Sequence, residues 1–258
     1  MKIATWNING IRARSDRLSA WLAEHEPDVL CLQETKTEDE KFPLGEIAMQ
    51  GYRAAFAGEK SYNGVALLTR EPLTDVVVGL PGDDADKQVR FLSGVWRGVR
   101  VASVYVPNGK SVDSDSYPYK LRFLARLRDY AHVVIGTGVP LVIAGDYNVA
   151  PEDRDVYDPA VFAGSVLTSP PEREAFAALL ATGLVDGLRH VRPDDVVYTW
   201  WDYRMLGFPK NRGLRIDHLL LSRDLAPRLR SVDVDRQARK GNQPSDHAPV
   251  LAVIDATP

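Results

Sequence analysis

Apolar residues recur along this chain in short runs, each closed off by Gly, Pro, Asn or Asp. The segments "KIATWNI", "DVLCLQE", "GVALLTR", "VRVASVYVP", "PLVIAGDYN", "RIDHLLLS", "SVDVD" and "PVLAVID" are rich in Val, Ile and Leu, and they predict strands. Between them the period lengthens. In "SDRLSAWLAEHEPD", Leu18, Trp21, Leu22 and His25 fall at i, i+3, i+4 and i+7. That spacing predicts a helix with Ser15 or Asp16 as its N-cap and Pro27 just past its end. "YKLRFLARLRDYAHVV" carries Leu121, Leu124 and Leu127 on one stripe. "SPPEREAFAALLATG" opens with proline in its first turn and ends at Gly183. Many strands and few helices predict an α/β sandwich, with two sheets face to face and helices outside. No linker, repeat or low-complexity tract interrupts the pattern, so the 258 residues read as a single domain.

The ends of those strands break the apolar rule. "ATWNING" ends in Asn7 and Asn9, "CLQETK" in Glu34, "VYVPNG" in Tyr105 and Asn108, and "VIAGDYNVA" in Asp146 and Asn148. Asp217 opens the apolar run "DHLLLS", and "SDHAPV" sets Asp246 and His247 just before the last strand. Taken singly, most of these are turn formers or solvated strand ends. Six apolar strands that each present a ligand-type side chain are harder to explain by packing, because buried unpaired carboxylates are costly. One shared site at one end of the sheets resolves it. Within that site a buried Asp217 needs a partner that holds it charged, and His247 is the candidate. Neighbours on a strand point in opposite directions, so Asp246 then faces the metal side.

Composition narrows the chemistry. The lone Cys31 lies inside a strand and reads as an apolar filler, which leaves no disulfide framework or cysteine zinc site and fits a reduced, cytoplasmic compartment. His25, His132, His190 and His218 have no partner visible in sequence and are read as structural or surface residues. Carboxylates without cysteines favour a hard cation, Mg²⁺ or Mn²⁺, over zinc. No apolar run is long enough to span a membrane, and the N-terminus lacks the regions of a signal peptide. The net charge of −3 neither demands nor excludes nucleic acid, because a local basic face suffices. The stretch "YTWWDYRMLGFPKNRGLRID" supplies one. It interleaves Trp200, Trp201 and Phe208 with Arg204, Lys210, Arg212 and Arg215, a mixture suited to phosphate contacts and stacking. Lys110, beside Asn108, adds a further phosphate contact, and Trp200, Trp201, Phe208 and Leu214 are candidates for a pocket wall.

"WNING", "LQETK", "GVALLTR", "YVPNG", "GDYN", "WWDYR", "NRGLRID" and "SDHAPV" stand in the order and spacing of the exonuclease III-like AP endonucleases. The chain resembles that family, part of the endonuclease/exonuclease/phosphatase superfamily, over nearly its whole length. The resemblance implies a four-layered α/β sandwich with two mixed sheets. It implies Mg²⁺-dependent hydrolysis of the phosphodiester 5′ to an abasic site in duplex DNA. Related activities are 3′→5′ exonuclease and the removal of 3′-phosphate or 3′-phosphodiester blocks. By position, Glu34 resembles the principal metal ligand, with Asn7 and Asp246 close by. Asp146 resembles the residue that orients or deprotonates water, and Asn148 its helper. Tyr105 resembles a phenol on the phosphate, and His247 with Asp217 the dyad beside the phosphate oxygens. A monomer is expected, with no arm ahead of "MKIATWN".

Three readings stay open on sequence grounds. The first is a repair nuclease acting at abasic sites, in which exonuclease action could dominate. The second is a superfamily phosphodiesterase with another substrate. The third is a DNA-binding protein without turnover, disfavoured because every group the chemistry wants is present.

Overall fold

The computed structural model describes residues 1–255. Twelve strands form: β1 (Lys2–Asn7), β2 (Val29–Gln33), β3 (Arg53–Ala57), β4 (Val65–Thr69), β5 (Thr74–Val78), β6 (Phe91–Trp96), β7 (Val99–Tyr105), β8 (Leu141–Asp146), β9 (Leu184–Asp186), β10 (Asp217–Ser222), β11 (Leu229–Val234) and β12 (Val250–Ile254). Among the α-helices are α1 (Ser15–His25), α2 (Leu44–Met49), α3 (Ser116–Gly136), α4 (Pro159–Phe162), α5 (Pro170–Leu180) and α6 (Gly187–Val191). The strands make two six-stranded sheets, ordered β11-β12-β1-β2-β4-β3 and β5-β6-β7-β8-β10-β9. Each is mixed: one central parallel pair, β1–β2 or β7–β8, is flanked by antiparallel neighbours.

The two-residue period of the strands builds the layers. In β1, Ile3 faces the opposing sheet, while Ala4 and Trp6 face outward onto α1 and α2. In β8, Val142 and Ala144 point inward, and Leu141 and Ile143 point out against α3 and α5. Three apolar clusters result, one between the sheets and one under each helical layer, which gives the expected four-layered sandwich. Gly145 lets β7 and β8 close up, since a Cβ there would lie 1.9 Å from the Val104 carbonyl oxygen.

Three local expectations change. Helix α1 begins at Ser15 without a side-chain cap, and the Ser15 hydroxyl instead donates to Glu46. On α3 the buried stripe runs through Tyr117, Lys120, Leu124, Leu127, Ala131 and Val134, with Leu121 beside it rather than on it. Four strands, β3, β5, β6 and β9, were not foreseen. Helix α5 opens on proline as read, with a capping box between Ser169 and Glu172 spanning its two prolines, and ends at Leu180, short of Gly183. Among the described residues, no helix is long and apolar enough to cross a membrane.

Candidate active site

The inward faces of the central strands all turn polar at the same end. In β1 the inward series Ile3, Thr5 closes on Asn7; in β2 Val29, Cys31 closes on Gln33, with Glu34 next. In the other sheet Tyr105, Asp146 and Asp217 lie side by side in register across β7, β8 and β10. The site is therefore a consequence of register. Strand pairing places three polar side chains in one row, opposite a second polar row from the facing sheet.

Hydrogen bonds tie the rows together. Asn7 Nδ2 donates to Glu34 Oε1 and to Asp146 Oδ2, both at 2.9 Å, so one amide bridges the sheets. Asp146 also accepts from the Asn148 backbone N–H at 2.9 Å and from its Nδ2 at 3.3 Å. Asn148 Oδ1 accepts from Asn108 Nδ2 at 3.0 Å. His247 Nδ1 lies 2.9 Å from Asp217, and its Nε2 faces Asp146 at 3.7 Å. Asp246 points the other way, accepting from Trp200 Nε1 and Asn9 Nδ2. The adjacent pair thus serves two clients. Asn9, Glu34, Lys36 and Asn148 all hold positive φ near 50°. Such left-handed backbone is strained for residues other than glycine and recurs at sites of function.

Electrostatics separate the roles. Burial alone would lower the His247 imidazole, but the Asp217 and Asp146 carboxylates outweigh it and push it up to about 10. Burial raises Asp146 to about 7, against the pull of His247 and with the push of Asp217 and Glu34. Glu34 is held below its usual range: burial opposes ionisation, but the Lys36 ammonium at 2.6 Å prevails. Tyr105 is kept firmly protonated by burial and by Glu34 and Asp146, and the Arg90 guanidinium sits 4.5 Å over its ring.

Glu34, Asp146 and His247 bring ligand atoms within 4.8 Å of one another. A protonated imidazole has no lone pair to give, so His247 is a donor at this site and the carboxylate oxygens are what a cation would find. Oxygen donors with excess negative charge suit a hard divalent ion. The Asn7 side-chain Oδ1 accepts from the Asn9 N–H at 3.0 Å, while its Nδ2 holds the Glu34 and Asp146 carboxylates.

The loop from Trp200 to Arg215 divides. Arg204, Lys210 and Arg212 are exposed, as is Lys110 across the site, and Trp200 is half-buried. Trp201, Leu214 and Arg215 are enclosed, which corrects their reading as DNA contacts. Trp201 packs edge-on against Phe208. Leu214 lies in a small cluster behind Trp200. Arg215 binds Asp155 at 2.6 Å and Asp186 at 2.7 Å, and its Nη1 meets His218 Nδ1. His218 is structural, held near pH 4 by burial and by Arg215, with Nε2 on the Val149 carbonyl. Lys36, which bridges Glu34 and Asn9, was missed; its place directly after "LQET" was the available signal.

Residues 4–247 match the endonuclease/exonuclease/phosphatase family. Exodeoxyribonuclease III of Haemophilus influenzae is 36% identical over 98% of this chain and 99% of its own length. The chain belongs to the endonuclease/exonuclease/phosphatase family. Within it the chain falls in the exonuclease III-like branch. A 3′ phosphatase from Neisseria, solved bound to a product DNA hairpin, is 42% identical, with a TM-score of 0.97 over 99% of this chain and 100% of that one. An AP endonuclease from Archaeoglobus fulgidus is 38% identical, with a TM-score of 0.95 at the same coverage.

Proposed function

We propose that this chain is a DNA-repair nuclease that hydrolyses the phosphodiester 5′ to an abasic site in duplex DNA, and that it also trims or unblocks 3′ ends. The observation that carries the reading is geometric: His247, held by Asp217 at 2.9 Å, turns its Nε2 to Asp146 at 3.7 Å, and the surroundings raise both groups. Such a pair supplies an acid and a base to a single phosphate. Asp146, steadied by Asn7 and Asn148, accepts the proton of the attacking water. The water oxygen bonds to phosphorus as the P–O3′ bond breaks, and the upstream 3′ oxygen leaves with a proton from solvent. His247, fixed by Asp217, donates Nε2–H to a non-bridging oxygen as charge builds there. Tyr105, kept protonated, donates to the same phosphate. Glu34, with Asp246 behind Asn9, would hold the divalent cation, Mg²⁺ or Mn²⁺, which neutralises the phosphate and the leaving oxyanion.

Substrate binding rests on Lys110, Arg204, Lys210 and Arg212, all exposed, with Trp200 beside Asp246 as an apolar contact. An abasic sugar rotates out of the stack more readily than a paired nucleotide, which favours its capture. The protein is expected to act on double-stranded DNA with abasic or 3′-blocked ends, as a monomer. A second reading, a chiefly 3′-end-processing enzyme, is favoured by the 3′ phosphatase relative at 42% identity. Two labelled duplexes decide between them, one with a single abasic analogue and one with a recessed 3′ end, each with Mg²⁺ or EDTA. A single metal-dependent nick 5′ to the analogue, lost in Glu34→Ala, supports the first reading. A ladder from the recessed end without the nick supports the second. No cleavage of either, and no release of phosphate from a 3′-phosphorylated end, contradicts both.

A further inference from the structure

Lys120 is a fully buried lysine in the apolar stripe of α3, and the chemistry above assigns it no part. Its three N–H bonds are all spent. One goes to the Asn148 carbonyl at 2.6 Å, one to the Asn108 carbonyl at 3.1 Å, and one to Glu172 of α5. Glu172 is equally enclosed and accepts from the Leu167 and Ser169 backbone N–H groups and from the Ser169 hydroxyl.

A buried ion pair is a poor way to stabilise a core, because desolvating both charges offsets their attraction. What this one does is geometric. Asn108 and Asn148 stand on separate loops, after β7 and β8, and their side chains meet at 3.0 Å under Asp146. Asn148 holds left-handed backbone, φ 49°, which the surrounding contacts must enforce. Lys120 grips both loops by their carbonyls at these two residues. From the adjacent position His218 grips the Val149 carbonyl at 2.8 Å.

We infer that Lys120, anchored by Glu172, is a positioning residue that fixes the Asn148 loop, and through it the Asp146 carboxylate, for the hydrolytic step. It touches no substrate. The inference rests on the nuclease reading given above.

The experiment measures single-turnover nicking of the abasic-analogue duplex, DNA affinity and melting temperature. The variants are Lys120→Met, the charge-balanced Lys120→Met/Glu172→Gln, and each of these combined with Asn148→Ala. The double variant leaves no uncompensated charge in the core. The expected result is a fall in rate of roughly 10- to 100-fold with DNA affinity within about twofold. In the Asn148→Ala background the same change should cost less than about twofold, because residues acting through one another are not additive. Lys120→Arg should recover part of the rate. A wild-type rate in the double variant overturns the inference. So does an equal loss with and without Asn148, which is the mark of general destabilisation. Failure of both Lys120 variants to fold also overturns it, since the pair would then be a condition of the fold. An inactive wild-type protein in the same assay would instead reject the nuclease reading.

Discussion

At the scale of single residues, function lies in the assignment of protons. His247 and Asp217 form a dyad whose imidazole stays protonated up to about pH 10, and Asp146 ionises near 7. The signs then follow. Asp146 must be deprotonated to take a proton, so the rate should rise as pH climbs through its pKa. His247 must be protonated to donate, so the rate should fall as pH passes about 10. A bell-shaped profile of the single-turnover rate is expected. Raising Mg²⁺ should move the acid limb to lower pH, because a neighbouring cation favours the ionised carboxylate. His247→Asn should lower the rate by about 10²–10³ and erase the alkaline limb; retention of that limb would assign it elsewhere. The residues of this site were legible in sequence because they violated the apolar pattern of their strands, Asp217 above all. His247 was legible as the partner of Asp217, which their 2.9 Å contact bears out; Asp246, read as facing the metal, accepts hydrogen bonds from Asn9 and Trp200. Lys120 was not legible, since a lysine among "YKLRFLARLR" looks like any solvated helix charge.

At the scale of elements, strand pairing delivers the chemistry and a buried charge network supports it. Arg215 just before β10, Asp155 after β8 and Asp186 at the end of β9 lock three segments together, with Arg189 also on Asp155. Arg215 was read as a phosphate contact because it sits among aromatic and basic residues. Its partners lie 29 and 60 residues away, beyond the reach of any local pattern. The corrected role makes a prediction. Arg215→Met leaves Asp155 with Arg189 alone and Asp186 without its guanidinium, a loss of about 3–5 kcal/mol, which lowers the melting temperature by on the order of 10 °C. The salt dependence of DNA binding should not change; a flatter salt slope would restore the phosphate contact. Two of the four unforeseen strands share a reason. β3 is the alanine-rich "RAAFA", and β5 is an edge strand exposed along most of its length, so neither shows strong alternation. Their partners β4 and β6 define them, and pairing is not a property of one segment.

At the scale of the whole molecule, two sheets meet so that their polar ends form one site, on a protein of net charge −3 on which Lys110, Arg204, Lys210 and Arg212 are exposed. On the proposed function, these four residues rather than the overall balance set the affinity for DNA. Replacing any one of these four by Ala should weaken binding to all duplex sequences alike and reduce the logarithmic salt slope by about one; a change confined to one sequence would contradict a phosphate contact. The layered architecture was legible from the alternation of short strands and amphipathic helices. What the alternation could not show was which end of the sandwich would be polar on both sheets at once. The central claim is that this end hydrolyses a phosphodiester using Asp146 as its base. Its most direct test is single-turnover cleavage of a duplex bearing one abasic analogue, with saturating enzyme and Mg²⁺, by the wild type and by Asp146→Asn. The account predicts one nick 5′ to the analogue, slowed by about 10²–10⁴ in the variant with DNA affinity unchanged. Cleavage by Asp146→Asn at the wild-type rate would contradict it.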